Sequence, residues 1–238
     1  MSKVYKAIIS EGNHYLDKTD CPEIATIYIS FASTYFYSGR LSALVNFAVA
    51  KFKVVEIVLT GVVYRNSYFA EEHLAESIRL GLAKNYEARY VKEQLSRFKP
   101  LMDEGRLVVR YAEEYLSMPR YEAIYDEVVA FHLGSKVFQG AQRESAMNML
   151  KRANNQHSEE AIENHLSMRK DFILEELAIF ACASESGRPL LIYPGRKLEI
   201  ADNVCRGVYE GVPELLLSVQ TVYITIAKSG VILRQPVG

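Results

Sequence analysis

A serine follows directly on the first buried strand that the sequence predicts. Residues 23–29 (EIATIYI) are short, β-branched and aromatic, which is typical of a strand that is buried on both faces. In open α/β sheets, ligands and reacting groups collect at the carboxyl ends of the strands. Ser30 is therefore a candidate nucleophile, and an ordinary serine whose hydroxyl bonds to backbone at a strand end is the alternative.

Two neighbouring glutamates, Glu175 and Glu176, lie in an apolar helical stretch. At about 100° per residue, Glu176 shares a face with Phe172, Ile179 and Phe180, whereas Glu175 points about a quarter-turn away. A carboxylate on an apolar face is costly unless it is paired or takes part in chemistry. Glu176 is therefore a second candidate for a catalytic residue. The alternative is a structural glutamate that is salt-bridged or that extends its carboxylate to solvent.

Several kinds of chemistry are excluded by their missing motifs. No glycine-rich dinucleotide motif or phosphate-binding P-loop follows the first strand, and Ser30 lacks the flanking glycines of a serine-hydrolase elbow. The five histidines and three cysteines have no metal-ligand or redox spacing. We therefore expect neither a metal nor a cofactor. A tyrosine at a later strand end, Tyr193, remains as a third chemical group.

The composition predicts one folded α/β domain over residues 1–238. Hydrophobic residues make up 49% of the chain and charged residues 24%, which favours a sizeable core over disorder. The net charge of −1 gives no global sign of nucleic-acid binding, so such a surface must be a local patch. No apolar run has the length of a membrane span. We expect a cytoplasmic protein that binds neither DNA nor membranes.

Predicted strands and helices alternate along the chain, and this pattern favours a single Rossmann-like, doubly wound parallel sheet with flanking helices. The sequence predicts strands at 23–29, 54–60, 106–111, 188–193 and 221–227. It predicts helices at 41–52, at 71–98 (ended by Lys99 and Pro100), at 119–153 as one or two segments, at 158–182 and at 212–218.

Two of the candidate residues lie in segments that resemble the cyclodipeptide synthases, and the resemblance covers about residues 23 to 227. Residues 29–36 resemble the segment around the family's nucleophilic serine, which implies that role for Ser30. Residues 172–178 resemble the family's Tyr-x-x-x-Glu-x-Pro helix, which implies that Glu176 is the essential glutamate.

A third segment, residues 190–194, resembles the strand that ends in the family's catalytic tyrosine, which implies that role for Tyr193. One branch of the family has Asn three residues after the serine and His after the tyrosine. The other branch, the XYP type, has a variable residue and Pro at these positions. Ser33 and Pro194 make this chain similar to the XYP branch.

The helix motif departs from the family at two positions. Phe172 stands where the family has a tyrosine that helps to hold the substrate amino group, and Ala178 stands where it has proline. Glu176 and Tyr193 could still hold the ammonium group. Tyr28 and Tyr35 are nearby candidates for a substitute hydroxyl, and the sequence does not choose between them.

The resemblance implies an enzyme that joins amino acids from two aminoacyl-tRNAs into a cyclic dipeptide. Its fold would be similar to the catalytic domain of class I aminoacyl-tRNA synthetases without the ATP motifs. Ser30 would attack the aminoacyl ester, and Glu176 would bind the ammonium and move protons. The second aminoacyl-tRNA would then supply the attacking amine, and ring closure would release a diketopiperazine. We expect a monomer.

The resemblance also implies surfaces for the substrate. A mainly apolar first side-chain pocket predicts a small-to-medium uncharged amino acid, and its residues are Tyr28, Val58, Thr60, Ile179, Phe180 and Leu191. Ser33, Phe172 and Pro194 flank the reacting groups. A helix that the family uses for tRNA carries Lys84, Arg89 and Lys92, with Lys99 at its end, and a solvated charged face is the alternative.

Two rival functions of other classes stay open on the sequence alone. One is a small-molecule acyltransferase or hydrolase on the same fold, which would use a thioester or ester in place of tRNA. The other is a non-catalytic protein that binds aminoacyl-tRNA, in which Phe172 would mark lost activity.

Overall fold

Six strands form one sheet in the computed structural model, which describes residues 5–10, 23–31, 33–66, 74–152, 158–195 and 199–228. The strands are β1 (Tyr5–Ile9), β2 (Ile24–Ile29), β3 (Val54–Leu59), β4 (Leu107–Tyr111), β5 (Leu190–Pro194) and β6 (Gln220–Lys228). Their order is β1-β6-β5-β2-β3-β4. All neighbours are parallel except β1 and β6.

The chain winds in both directions from the centre of the sheet. It passes from β2 to β3 and β4 on one side, then returns to β5 beside β2 and ends in β6. Right-handed crossovers in opposite directions place their helices on opposite faces. The point where the direction reverses lies between β2 and β5, and ligands bind there at the carboxyl ends of the strands. The predicted fold class is confirmed.

Helices connect the strands and cover the sheet. They are α1 (Ser38–Lys51), α2 (Gly61–Tyr64), α3 (Glu76–Tyr90), α4 (Lys99–Asp103), α5 (Ala112–Leu116), α6 (Tyr121–Gly134), α7 (Lys136–Arg152), α8 (Glu159–Glu185), α9 (Glu199–Cys205) and α10 (Glu214–Leu217). α8 begins where the Ser158 side chain accepts a hydrogen bond from the Ala161 amide, with two acids in its first turn. The second half of α8 is buried almost continuously, so this part of the helix belongs to the core.

The helix predicted at 71–98 differs from the structure at both ends. Residues 71–73 lie outside the described residues, and α3 begins at Glu76. Regular α geometry ends at Tyr90, and a π-helical and a 3₁₀ segment follow. Lys99 and Pro100 then begin α4 instead of ending the helix, because a proline in the first turn removes an amide that has no helical partner anyway.

Four further elements are absent from the sequence prediction: β1 and the short helices α2, α5 and α9. β1 pairs antiparallel with β6, from Tyr5 opposite Lys228 to Ile9 opposite Ile224, and it carries no strong alternation of apolar and polar residues. α9 is short and follows three residues that are not described.

The segment predicted at 119–153 forms two helices, divided at Ser135, whose hydroxyl accepts a bond from the Phe138 amide; residue 153 is not described. Among the described helices, none is long and apolar enough to cross a bilayer.

Candidate active site

Ser30 lies at the carboxyl end of β2, beside the reversal point of the sheet. Its hydroxyl oxygen is 2.7 Å from the hydroxyl oxygen of Tyr64. Tyr64 is the last residue of α2, the short helix that follows β3 at the same sheet edge. Among the described residues, the partner of the Ser30 hydroxyl is therefore a second hydroxyl and not a backbone group.

Tyr64 is a site residue that the sequence analysis missed. Its ring makes edge-to-face contacts with Phe31 and with Phe172, at centroid distances of 5.1 and 5.7 Å. Phe172 also lies under the guanidinium of Arg169, whose central carbon is 4.6 Å from the ring centroid. The one sequence signal for Tyr64 was its place four residues after the second predicted strand.

Glu176 extends from α8 into this group and is partly buried. Burial raises the pKa of its carboxyl group to about 7, and the positive charge of Arg169 acts in the opposite direction. Burial in turn lowers the pKa of the Arg169 guanidinium. A carboxyl group with a pKa near neutrality can accept and release a proton under ordinary conditions.

Glu175 has a different role from its neighbour. Its carboxylate accepts two bonds from Arg65, at 3.1 Å from one terminal nitrogen and 2.5 Å from the other. Arg65 follows Tyr64 directly, so this buried ion pair ties α2 to α8. The salt-bridged alternative thus describes Glu175.

Tyr193 lies near the end of β5, the strand beside β2. Its ring contacts Phe36 at a centroid distance of 5.9 Å. Burial raises the pKa of its hydroxyl, and the nearby charge of Glu176 and the hydroxyl of Tyr64 raise it further. The structure therefore brings the three residues proposed for catalysis, together with Tyr64, to one edge of the sheet.

The residues predicted for the first pocket surround this edge. Tyr28 and Phe180 make an edge-to-face contact at 4.7 Å, and Val58, Ile179 and Leu191 are buried. The Thr60 hydroxyl donates a bond to the Ile29 carbonyl, so it holds the end of β2.

The residues predicted to flank the chemistry also lie at this edge. Pro194 ends β5 and is buried. The Ser33 hydroxyl accepts a bond from the Tyr35 amide at the start of the 3₁₀ turn. Ala32, between Ser30 and Ser33, lies outside the described residues.

A buried carboxyl group of α3 holds the start of α2. Glu87 accepts a bond from the Gly61 amide at 2.9 Å, and a β-carbon at Gly61 would lie only 2.5 Å from the same oxygen. Burial raises the pKa of Glu87 to about 7, although the Gly61 amide and Lys84 act against this shift. Glu87 thereby fixes the helix that presents Tyr64 to Ser30.

The sequence model of the cyclodipeptide synthase family matches residues 8–186. The chain belongs to this family. Its enzymes act on aminoacyl-tRNA, so the predicted enzyme class is confirmed. A search of curated protein sequences finds no significant match.

Solved cyclodipeptide synthases share the fold at low sequence identity. A Fluoribacter dumoffii enzyme superposes with a TM-score of 0.77 at 17% identity, over 95% of this chain and 100% of that one. A Mycobacterium tuberculosis protein, described as relating cyclodipeptide synthetases to type I tRNA synthetases, gives 0.66 at 19% identity, over 96% and 95%. A synthase of Candidatus Glomeribacter gigasporarum bound to Phe-tRNA gives 0.51 at 14% identity, over 92% of each chain.

The four basic residues predicted to bind tRNA are all exposed on the segment from α3 to α4. Lys84 pairs with Glu113 at 3.6 Å. Arg89 and Lys99 each pair with an acid four residues later, at 3.5 and 2.9 Å. Lys92 has no ion pair among the described residues. Exposed pairs of this kind contribute little to stability, so these cations remain available to an anionic partner.

Proposed function

We propose that the chain transfers an aminoacyl group from aminoacyl-tRNA to Ser30, passes it to a second aminoacyl-tRNA, and closes a diketopiperazine. The observation that supports this proposal best is the bond between Ser30 and Tyr64 at the reversal point of the sheet, with Tyr193 in electrostatic contact with both Tyr64 and Glu176. The site thus combines a hydroxyl nucleophile with a carboxyl group that titrates near neutral pH.

The first step forms an ester and breaks one. The Ser30 oxygen bonds to the aminoacyl carbonyl carbon, and the bond from that carbon to the ribose oxygen of tRNA breaks. The Ser30 proton passes through the Tyr64 hydroxyl to the leaving ribose oxygen, which needs a proton of its own. The incoming ester is already activated, so the step consumes no nucleotide.

The second step needs an ion partner and a base. Ionised Glu176 binds the ammonium of the first aminoacyl group, and this positive charge favours the ionised carboxylate. The amine of the second aminoacyl-tRNA attacks the ester on Ser30, so that the peptide C–N bond forms as the bond from the carbonyl carbon to the Ser30 oxygen breaks. Glu176 accepts the proton that this amine loses, and the Ser30 oxygen regains a proton through the Tyr64 hydroxyl. Glu176 passes the proton from the second amine on to solvent, and the ammonium of the first residue then gives its own proton to Glu176. The freed amine attacks the carbonyl carbon of the remaining tRNA ester, the bond from that carbon to the ribose oxygen breaks, and the ribose oxygen takes up the proton that the amine loses, which closes the ring and releases the tRNA.

Tyr64 fits the role of the hydroxyl that the helix lacks at Phe172. The Tyr64 ring contacts Phe172, and its hydroxyl reaches Ser30, so it lies where a tyrosine at position 172 could reach. Pro194 after Tyr193, and Ser33 three residues after Ser30, support placement in the XYP branch of the family.

Two aminoacyl-tRNAs act in turn on a monomer, and the outer surface from α3 to α4 receives their backbone phosphates. The exposure of Lys84, Arg89, Lys92 and Lys99 supports this surface. We place the whole site in a single catalytic domain over residues 1–238. The reaction belongs in the cytoplasm because aminoacyl-tRNA is its substrate.

Expression in bacteria with mass analysis of the medium tests the proposal. The wild type should release a cyclic dipeptide, and Ser30→Ala should release none. Ser117→Ala is the matched control, because it removes an exposed serine hydroxyl at the end of α5, away from the site, and it should keep most of the product. RNA that co-purifies without any product would support the non-catalytic binder instead, and turnover of free esters or thioesters would support the small-molecule enzyme.

A further inference from the structure

Three buried hydroxyl groups lie deeper in the protein than Ser30, and we call them the floor hydroxyls. They belong to Thr26, Tyr28 and Tyr115, whose exposed fractions are 0%, 6% and 3%. Within the part of the chain that the structure describes, none of the three oxygens has a hydrogen-bond partner. A buried hydroxyl without a partner destabilises the folded protein, so such a group indicates a missing polar partner.

The floor hydroxyls lie between the sheet and α8, below the reacting groups. Thr26 and Tyr28 alternate with Ser30 along the chain and therefore share one face of β2. The Tyr28 ring contacts Phe180, which lies one helical turn after Glu176. Burial raises the pKa of Tyr28, and the nearby Tyr115 and Glu176 raise it further.

The charges near the floor hydroxyls balance. Glu56, in register with Thr26 on the next strand, contacts both Arg110 and Arg188 at 2.8 Å. Arg110 also pairs with Glu114 at 3.0 Å. The charges of Glu56 and Glu114 thus balance those of Arg110 and Arg188. The floor hydroxyls therefore lie beside ion pairs that carry no net charge.

We propose that the first amino acid carries a short, uncharged polar side chain, a hydroxyl or a carboxamide, which hydrogen-bonds to the Tyr28 hydroxyl, the floor hydroxyl that lies two residues from Ser30 on the same face. This inference rests on the proposed roles of Ser30 and Glu176. With the carbonyl at Ser30 and the ammonium at Glu176, the side chain points between β2 and α8 toward Tyr28. The contact of Tyr28 with Phe180 limits its length. The balanced ion pairs disfavour a charged side chain, because its charge would be buried without a partner.

Purified protein and single aminoacyl-tRNAs in near-isosteric pairs test the inference. The pairs are Ser with Ala, Thr with Val, Asn with Leu and Gln with Met, and intact-protein mass analysis gives the rate of acylation. The best polar member should react at least about tenfold faster than its apolar partner, because that partner leaves the floor hydroxyls unsatisfied. A set in which apolar, aromatic or charged amino acids react fastest would overturn the inference and leave the covalent mechanism intact.

Substitutions that keep shape but remove a hydroxyl identify the responsible residues. Tyr28→Phe should reduce the polar-to-apolar rate ratio severalfold, without a matching loss for the apolar member, and Thr26→Val and Tyr115→Phe should reduce the ratio less. Tyr209→Phe, at a buried tyrosine that packs against Phe138, is the control and should leave the ratio unchanged. An unchanged ratio in Tyr28→Phe, or an equal loss for both members, would show a merely structural role and overturn the inference.

The wild-type ratio alone decides the matter if a variant does not fold. An enzyme that forms no acyl adduct with any aminoacyl-tRNA would overturn the proposed role of Ser30, and with it this inference. That failure is distinguishable from an enzyme that acylates readily but prefers apolar groups.

Discussion

The sheet edge at Ser30 and the outer surface from α3 to α4 differ in how their charges are held. At the edge, a few buried groups approach one another, and burial raises the pKa of Glu176 to about 7. On the outer surface, Lys84, Arg89 and Lys99 are exposed and paired with neighbouring acids. Solvent screens the interactions between the surface charges, whereas burial strengthens the electrostatic interactions at the sheet edge.

This difference predicts two kinds of response to substitution. Chemistry that depends on a few buried groups should fail when one of them changes. Binding that is spread over several exposed charges should weaken by small steps and depend on salt.

The largest effect is expected at the edge. Glu176→Gln and Tyr193→Phe should each reduce kcat at least about a hundredfold, because each removes a proton-transfer or ammonium-binding group while it preserves shape. Steady-state formation of cyclic dipeptide measures this effect, and circular dichroism should show intact folding. Turnover close to wild type in both variants would remove the two residues from the chemistry.

Glu175→Gln is the matched control for Glu176. It weakens the ion pair with Arg65 that ties α2 to α8, so it should lower the free energy of unfolding by about 1–3 kcal/mol. Its effect on kcat should be far smaller than that of Glu176→Gln. Equal losses of activity in the two variants would contradict the different roles of the neighbouring glutamates.

A smaller effect is expected on the outer surface. Reversal of Lys84, Arg89 and Lys92 to Glu should raise KM for aminoacyl-tRNA roughly tenfold or more and leave kcat nearly unchanged. Loss of phosphate contacts should also reduce the slope of log affinity against log salt by about 3. An unchanged KM would move the tRNA surface elsewhere on the protein.

The smallest effect is a change with pH. Glu176 binds the ammonium only when it is ionised, so kcat/KM should rise roughly tenfold between about pH 6 and 8, around its pKa of about 7. The same raised pKa means that the folded protein binds more protons than the unfolded chain between about pH 4.5 and 7. The contribution of the Glu176 carboxyl group to the free energy of unfolding therefore falls as pH rises through that window.

Glu87 is the control for this titration, because burial raises its pKa to about 7 as well. Glu87→Gln should keep the inflection in the pH profile. If the inflection disappears in that variant, the titrating group lies on α3 and acts through the position of α2 instead of on the substrate.

The sequence was sufficient to predict the central strands and the residues at their ends. The apolar runs around β2, β3 and β5 are strong local signals, and parallel strands must bring their carboxyl ends to one edge. Ser30 and Tyr193 therefore lie at the same edge of the sheet, and Glu175 and Glu176 have different partners. The catalytic roles of these residues stay predictions.

The supporting contacts could not be predicted because they join distant parts of the chain. Arg65 meets Glu175 across 110 positions, and Glu87 meets Gly61 across 26. The position of Tyr64 depends on α2, a helix of four residues, which is too short to show a helical pattern of apolar residues in the sequence. The partly polar character that we propose for the first pocket could not be predicted either, because only the fold shows that the floor hydroxyls are buried.

The most direct test of the covalent mechanism is incubation of the protein with one aminoacyl-tRNA alone, followed by peptide mass analysis. The proposed mechanism predicts an aminoacyl adduct on the peptide that contains Ser30, labile to base as an ester is, and absent in Ser30→Ala. An amide adduct on a lysine, an adduct that survives Ser30→Ala, or undiminished cyclic dipeptide synthesis by that variant would contradict it.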